Sequence, residues 1–458
     1  MHDLTPALDP NSSVPIYEQL YRFISREIIQ GRLAGSTRLP SRRALSRHLG
    51  ISEQTVSNAF DLLKAEGFLR TEPRRGFIVE EILPLTETQS QPQTRAHDVP
   101  SSILYDFSPQ STDTRLFPYK AWTRLIKEAL LDEPELMKRG SPKGEYSLRA
   151  ALSSFLYQFR GVICHADNLI ISSGVDQLLG TIGALFGRPV KIACEDPGYP
   201  EAFRSLRRTG HLPLPLPLDE QGVVLNELEL SGANLLYITP AHQFPTGTSM
   251  PASRRAELLH WAQQKDGRYI IEDDYDSEFR YTSRPLPALQ GIDPTGKVIY
   301  LSTFSRSLAP GLRIAYMALP PDLCLRYDQL HLRSGETVSR FEQKAMARLL
   351  SEGHYARHLR RASGVYQKRC KALCDLLGNI PGSFLKGQEA GLHFLFGIKG
   401  RYEQELTSSA AASGIPLHGL SGYCQSAVHP SALVLGFGGL EDDQLAAAVT
   451  ALRHIWSV

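Results

Sequence analysis

The sequence predicts a multidomain α/β protein: a small helix-rich module at the N-terminus, then a large domain built on a mainly parallel sheet. Three observations carry this. The 458 residues exceed what one ordinary hydrophobic core accommodates. Residues 12–80 hold three short helical patterns followed by two strand patterns. From residue 103 to 458, amphipathic helices alternate with short apolar strands, among them VKIACED, NLLYITP, YIIEDDY and KVIYLSTFS. Strands without a polar face belong in a sheet covered by helices on both sides. Between the two regions, residues 81–102 contain TETQSQPQTRAHDVPSS, which is polar and aperiodic and reads as a linker. A smaller α+β subdomain is expected from about residue 325 to 458. No repeat of solenoid length is present.

Composition bounds the function. Hydrophobic residues make up 42% and charged residues 21%, ordinary values for a soluble globular chain. Net charge is only +2, so any nucleic-acid surface must be local. Six cysteines are scattered, and the one close pair, Cys370 and Cys374, lacks metal-ligand spacing; reduced thiols and no metal centre are expected. There is no basic-then-apolar leader, and no apolar run approaches the ~18 residues of a membrane span. The expectation is a soluble cytoplasmic protein.

In the N-terminal module, PIYEQLYRFISREIIQG places Ile16, Leu20, Ile24 and Ile28 on one helical stripe. In LPSRRALSRHLG, Ser41 is placed as an N-cap and Gly50 as a stop. ISEQTVSNAFDLLKAEG is a further helix capped by Ser52, with Val56, Ala59, Phe60 and Leu63 as its buried face. Two short helices joined by a glycine-containing turn make a helix-turn-helix, and FLRTEPRRGFIV adds two strands around a tip at Arg74, Arg75 and Gly76, a winged helix. Between Arg32 and Gly76 there are nine Lys or Arg against four Asp or Glu, a local excess of +5 suited to phosphate. Candidate DNA contacts are Arg38, Arg42 and Arg43, the wing tip, and Gln54, Thr55, Ser57 and Asn58 on the exposed face of the second helix, where base edges come within reach.

The segments PIYEQL, GRLAGSTRLPSRRALSRHLGIS, TVSNAFDLLKAEGFLRT and RRGFIV resemble the GntR family of bacterial regulators. The resemblance implies double-stranded operator DNA as partner and a DNA contact at Arg43. Two positions commonly basic in that family are Glu53 and Ser57 here. An acidic Glu53 facing phosphate is repulsive, so it reads a cytosine amino group or points away.

In the large domain, polar residues follow the strands at their carboxyl ends, where α/β sheets bind ligands. IISSGVDQLLG leaves a strand at Gly174 and enters a helix whose first amides, at Val175 and Asp176, suit a phosphate. EDPGYP offers Tyr199 to stack on a flat ring. TPAHQFPTG supplies His242 and Gln243, IIEDDYDSEFRY supplies Asp273, Asp274 and Tyr275, and STFSRSLAPGLRIAY supplies Thr303, Ser305, Arg306 and Arg313.

In that order, together with YDFSPQSTDTRLFPYKAW, GSPKGEYSLRAALSSFLYQFRGV and GLHFLF, these runs resemble fold-type I, aspartate-aminotransferase-like proteins. They are closer still to the MocR subfamily of GntR regulators, in which a winged helix is linked to a whole aminotransferase-like domain. The resemblance implies a homodimer and a pocket for pyridoxal 5'-phosphate or a related vitamin B6 compound. Asp273 is then the partner of the ring nitrogen, and Tyr275 with Gln243 or His242 approaches the phenolic oxygen. Tyr199 stacks on the ring. Val175, Asp176, Thr303, Ser305 and Arg313 hold the phosphate.

The chain departs from that pattern at Arg306, where the resemblance puts the cofactor-binding lysine. A guanidinium keeps its proton and is a poor amine nucleophile, so a Schiff base and transamination are both excluded at this position. Arg139 stands for a tyrosine, Asp176 for a glutamine, and Val434 for the arginine that holds substrate carboxylate in many aminotransferases. The expected function is a DNA-binding transcriptional regulator that senses its small-molecule effector non-covalently. The alternatives are an aminotransferase with a DNA-binding appendage, and a regulator whose large domain is a ligand-free dimerisation scaffold.

Overall fold

The computed structural model describes residues 5–73, 75–81, 103–281, 286–330, 338–426 and 431–458. The expected linker, apart from Glu81, and the wing-tip Arg74 lie outside them. The chain divides into two units, Met1–Val99 and Pro100–Val458.

The first unit runs α1 (Ile16–Ile29), α2 (Arg42–Leu49), α3 (Glu53–Ala65), β1 (Leu69–Glu72) and β2 (Gly76–Val79). The expected caps form: the Ser41 hydroxyl accepts from the Ala44 amide at 3.2 Å and the Ser52 hydroxyl from Thr55 at 3.0 Å. Gly50 ends α2 in the left-handed region at φ 67°. Leu20, Ile24 and Ile28 of α1 pack on Val56, Ala59, Phe60 and Leu63 of α3, all buried. Ile16, the first residue of the stripe, is only half-buried. The antiparallel wing closes this core, with Leu69 opposite Val79 and the Phe77 ring edge-on to Phe60 at 4.9 Å.

The second unit begins with α4 (Tyr119–Asp132) and α5 (Tyr146–Arg160) and continues β3 (Leu169–Ser172), α6 (Val175–Phe186), β4 (Lys191–Asp196), α7 (Pro200–Arg208), β5 (Leu212–Asp219), β6 (Gly222–Val223), α8 (Leu225–Ser231), β7 (Leu235–Ile238), α9 (Ala252–Gln263), β8 (Tyr269–Asp274), β9 (Val298–Thr303) and β10 (Ala315–Ala318). These eight strands form one sheet in the order β3-β10-β9-β8-β7-β4-β5-β6. Its centre, from β9 to β5, is parallel, while β10 pairs antiparallel with both β9 and β3. Strands β3, β7, β8 and β9 are buried along their whole length, as their apolar runs require.

Helices α10 (Pro321–Gln329), α11 (Arg340–Ser351) and α12 (His354–Gly378) lead to a second sheet, β11 (Ser383–Lys386), β12 (His393–Ile398), β13 (His418–Gly419) and β14 (Leu433–Gly436), with α13 (Glu403–Ala412) and α14 (Gln444–Trp456). That sheet is ordered β11-β12-β14-β13 and wholly antiparallel. The long α12 shares one apolar cluster with α14, β12, α5 and the turn after β9. No helix among the described residues is long and apolar enough to cross a membrane.

A cavity at the carboxyl ends of the strands

The parallel strands direct their carboxyl ends to one edge of the sheet, and the loops leaving β3, β4, β7, β8 and β9 meet there. They enclose a cavity of about 200 Å³ lined by Gly174, Val175, Asp176, Tyr199, Asp273, Tyr275, Thr303, Ser305, Arg306 and Arg313. Tyr237, Thr239, Phe244, Pro310, Pro109 and Gln110 complete it. A wider cleft of about 850 Å³ adjoins through Tyr199 and Gln110. It lacks the buried, unpaired charged atoms that mark the smaller cavity.

Asp273 lies on β8 and Asp274 beside it, so their side chains point to opposite sides of the sheet. Asp274 is spent on the fold, accepting from Arg160 at 2.7 Å and from the Tyr300 hydroxyl at 2.8 Å. Asp273 faces the cavity, 4% exposed. Its Oδ2 accepts from the Tyr237 hydroxyl, and its Oδ1 has no partner among the described residues. Burial pushes its carboxyl up to about 7, against the Tyr237 hydrogen bond, with Asp274, Asp276 and Asp176 adding repulsion. Oδ1 therefore suits a partner that shares a proton, such as a ring nitrogen.

Arg306 follows β9 in a turn held from both ends. The Thr303 hydroxyl accepts from the Ser305 amide at 3.1 Å. The Ser307 hydroxyl takes a hydrogen bond from Tyr355 at 2.8 Å, and the Ser307 carbonyl lies 2.6 Å from His358 Nε2 on α12. The turn thus places the Arg306 guanidinium in the cavity wall, 9% exposed, with Nε, Nη1 and Nη2 all unpartnered among the described residues.

Also in the lining, Gly174 caps α6 at φ 142°, and a Cβ built there would stand 2.6 Å from Arg313 Nη2. The positive φ favours glycine at this position, and its missing side chain leaves the guanidinium space beside the first turn of α6. Arg313 itself holds a left-handed backbone at φ 51°, uncommon outside glycine. Asp176 receives a hydrogen bond from the Ser205 hydroxyl at 3.2 Å.

Two expected site residues lie elsewhere. His242 is 1% exposed, outside the cavity lining, with Nδ1 2.9 Å from Asp276 and its ring 4.7 Å from that of His393. Gln243 folds back into its own turn, donating to Glu195, the Pro197 carbonyl and the Phe244 carbonyl. The physical reason is the turn after β7: its next residue, Phe244, supplies the cavity wall instead. Tyr275 does line the cavity, but its hydroxyl donates to the His242 carbonyl at 2.9 Å, leaving lone pairs for a ligand hydroxyl. Val434 is fully buried on β14 against Leu395, Leu420 and Ala432.

The sequence reading also missed Tyr237, Thr239 and Phe244. A polar-tipped Tyr237 within the otherwise aliphatic LLYI was the available signal.

His242, Asp276 and His393 are metal-ligating residue types with candidate ligand atoms within 4.8 Å of one another. Gly391, at φ 69°, admits the His242 ring, since a Cβ there would lie 2.1 Å from it. Burial, then His242 and Arg306, hold the His393 imidazole well below its ordinary range. The positive field of Arg306 at this cluster opposes a bound cation.

On the DNA-binding unit, Arg38 and Arg43 are exposed, as is Arg47, and none has an ion pair among the described residues. Arg42 is spent internally: it pairs with Asp61 of α3 at 3.0 Å and covers the Phe77 ring of the wing at 4.9 Å. Thr55 shares a 2.7 Å hydrogen bond with the cap Ser52, and Ser57 donates to Asp61 at 3.2 Å. Gln54 and Asn58 bond each other at 2.9 Å on the exposed face, where Glu53 also lies. Arg75 pairs with Glu72 at 3.4 Å, and Gly76 takes φ 91° at the wing turn.

A winged helix-turn-helix on one unit and an aminotransferase-type sheet with its cavity on the other define a class: transcriptional regulators carrying an aminotransferase-like domain. Comparison with known proteins agrees. Residues 16–79 match the family described as bacterial regulatory proteins, gntR family, and residues 110–415 match aminotransferase class I and II. The probable rhizopine catabolism regulatory protein MocR of Rhizobium meliloti is 31% identical, covering 97% of this chain and 94% of its own. The HTH-type pyridoxine biosynthesis transcriptional regulator PdxR of Corynebacterium glutamicum is 32% identical, covering 97% and 96%. YhdI of Bacillus subtilis, an uncharacterized HTH-type transcriptional regulator, is 36% identical over 99% and 98%. The chain belongs to the MocR-type GntR family of transcriptional regulators. Among solved structures, Pyrococcus horikoshii kynurenine aminotransferase in complex with PMP superposes with a TM-score of 0.70 at 24% identity, covering 78% of this chain and 91% of that one, which shows the shared fold.

Proposed function

We propose that this regulator acts in the cytoplasm as a homodimer, binds operator DNA through its winged helix, and senses pyridoxal 5'-phosphate or a related vitamin B6 compound without covalent capture. The observation that carries this reading is the cavity itself. An unpartnered Asp273 Oδ1 suits a ring nitrogen, Tyr199 and Phe244 offer aromatic walls, and Arg313 over Gly174 suits a phosphate. Arg306 stands where the resemblance to aminotransferases puts a lysine, so the fit is to a held ligand rather than to a covalently attached one.

Occupancy then biases an equilibrium between forms of different DNA affinity, which requires binding and no turnover. On the DNA side, Arg38, Arg43 and Arg75 with the Gly76 turn are assigned to phosphate. Gln54, Asn58 and Ser57 are assigned to base edges once the Gln54–Asn58 and Ser57–Asp61 hydrogen bonds open. Arg42 and Thr55 act by holding the module together.

The test is a titration of the purified protein with pyridoxal 5'-phosphate, followed by absorbance and tryptophan fluorescence, then dialysis or borohydride treatment. The expected result is saturable binding, reversed by dialysis, with no reduced adduct at position 306. Absence of a saturable signal overturns the sensing role, and amino-acid-dependent conversion of the bound compound overturns the non-enzymatic reading. Arg306→Lys is expected to convert reversible binding into a yellow, borohydride-reducible linkage, read by mass spectrometry of the peptide.

A further inference from the structure

We propose that Arg306 makes the cavity selective for a flat ligand carrying two acidic groups: one at the first turn of α6, and a second, a carboxylate, on Arg306 itself. This rests on the sensing role above and narrows the ligand class. Three donor nitrogens of a guanidinium nine-tenths buried stand without a partner among the described residues. A buried charge left unpaired is costly, whereas an anion taken from water into a two-pronged contact recovers much of that cost. No carboxylate among the described residues is hydrogen-bonded to it. Tyr275, Tyr281 and His393 all sense its charge and are neutral rings, while Asp276 is engaged with His242.

The second cationic end is independent of the first. Arg313 lies beside Gly174 at the start of the 12-residue α6. Asp176, in the first turn of α6, receives a hydrogen bond from Ser205. Tyr199 and Phe244 line the same cavity, and Asp273 offers an Oδ1 unpartnered among the described residues. With its nitrogen on Asp273 and its phosphate at Arg313, a pyridine ring leaves Arg306 as the second cation of the lining, and the substituent para to nitrogen is assigned to it. At that carbon a carboxylate gains a forked ion pair, an aldehyde gains a single hydrogen bond with no ion pair, and an ammonium group is repelled.

Calorimetric titration with three compounds differing only at that carbon tests this: 4-pyridoxic acid 5'-phosphate, pyridoxal 5'-phosphate and pyridoxamine 5'-phosphate. The expected order of affinity is carboxylate, aldehyde, amine, with at least a tenfold gap between the first and last. Arg306→Gln is expected to erase most of that gap while retaining phosphate-driven binding. Equal affinity for all three, or preference for the amine, overturns the inference and leaves the sensing role standing. Failure of all three to bind overturns both. The wild-type comparison needs no variant, so it decides even if Arg306→Gln fails to fold.

Discussion

At the scale of single residues, the cavity is a set of groups whose hydrogen-bonding capacity exceeds what the protein satisfies. Asp273 and Arg306 show this directly, and Glu195 shows a related case. Its Oε2 accepts from the Thr239 amide and hydroxyl at 3.0 and 2.7 Å and from Gln243 at 3.2 Å, whereas Oε1 has no partner among the described residues. Burial pushes the carboxyl up to about 7 from 4.5 despite those donors. The folded protein therefore binds this proton more tightly than the unfolded chain. The group's contribution to stability is greatest in acid and is lost as pH rises from about 4.5 to about 7, at about 1.4 kcal/mol per pH unit. Glu195→Gln keeps the accepting oxygen and removes the charge. Its melting temperature relative to wild type is expected to rise between pH 5 and pH 8, as read by thermal melts in matched buffers. An unchanged difference across that range would show that Glu195 is ionised throughout.

At the scale of elements, arginines that look equivalent in RLPSRRALSRHLG divide into Arg42, paired within the module, and Arg38, Arg43 and Arg47, left exposed. Arg42 ties α3 to the wing through Asp61 and Phe77, with a side chain 37% exposed, so its loss is expected to cost no more than about 1 kcal/mol of stability. Arg43 has no such partner among the described residues. Arg43→Ala is expected to leave the melting temperature unchanged and to reduce the salt dependence of DNA binding by about one phosphate contact, a slope change of about 0.9. Fluorescence anisotropy over a salt series measures it; an unchanged slope removes Arg43 from the interface. Caps, helix stripes and the four apolar strands were legible in the sequence because each is a local pattern. Strand β5, LPLPLPLD, was not, because proline at every second residue argues against a strand. It is tolerated because β5 has a full-length partner on only one side, and alternate residues of such a strand need donate no N–H to the sheet. The inward turn of His242 and Gln243, and the exposure of Phe244 to the cavity, were illegible for a different reason. Both depend on how the turn after β7 packs against Glu195, Asp276 and His393, which lie far off in sequence.

At the scale of the whole molecule, each unit has its own apolar core. Leu20, Phe60 and Leu63 belong to the first, and the clusters flanking the large sheet and around α12 belong to the second. Two separately cored units of unequal size are expected to give two heat-absorption transitions in calorimetry. The cavity lies within the second unit alone. A ligand that binds only the folded form stabilises it by about 2.7 kcal/mol at one hundred times its dissociation constant. Saturating pyridoxal 5'-phosphate is therefore expected to raise the transition of the large unit by at least about 2 °C and to leave that of the winged helix in place. Double-stranded DNA at low salt is expected to do the reverse. If pyridoxal 5'-phosphate raises both transitions together, the two units melt as one cooperative body. The communication that regulation requires is then already present in the free protein, rather than created when the ligand binds.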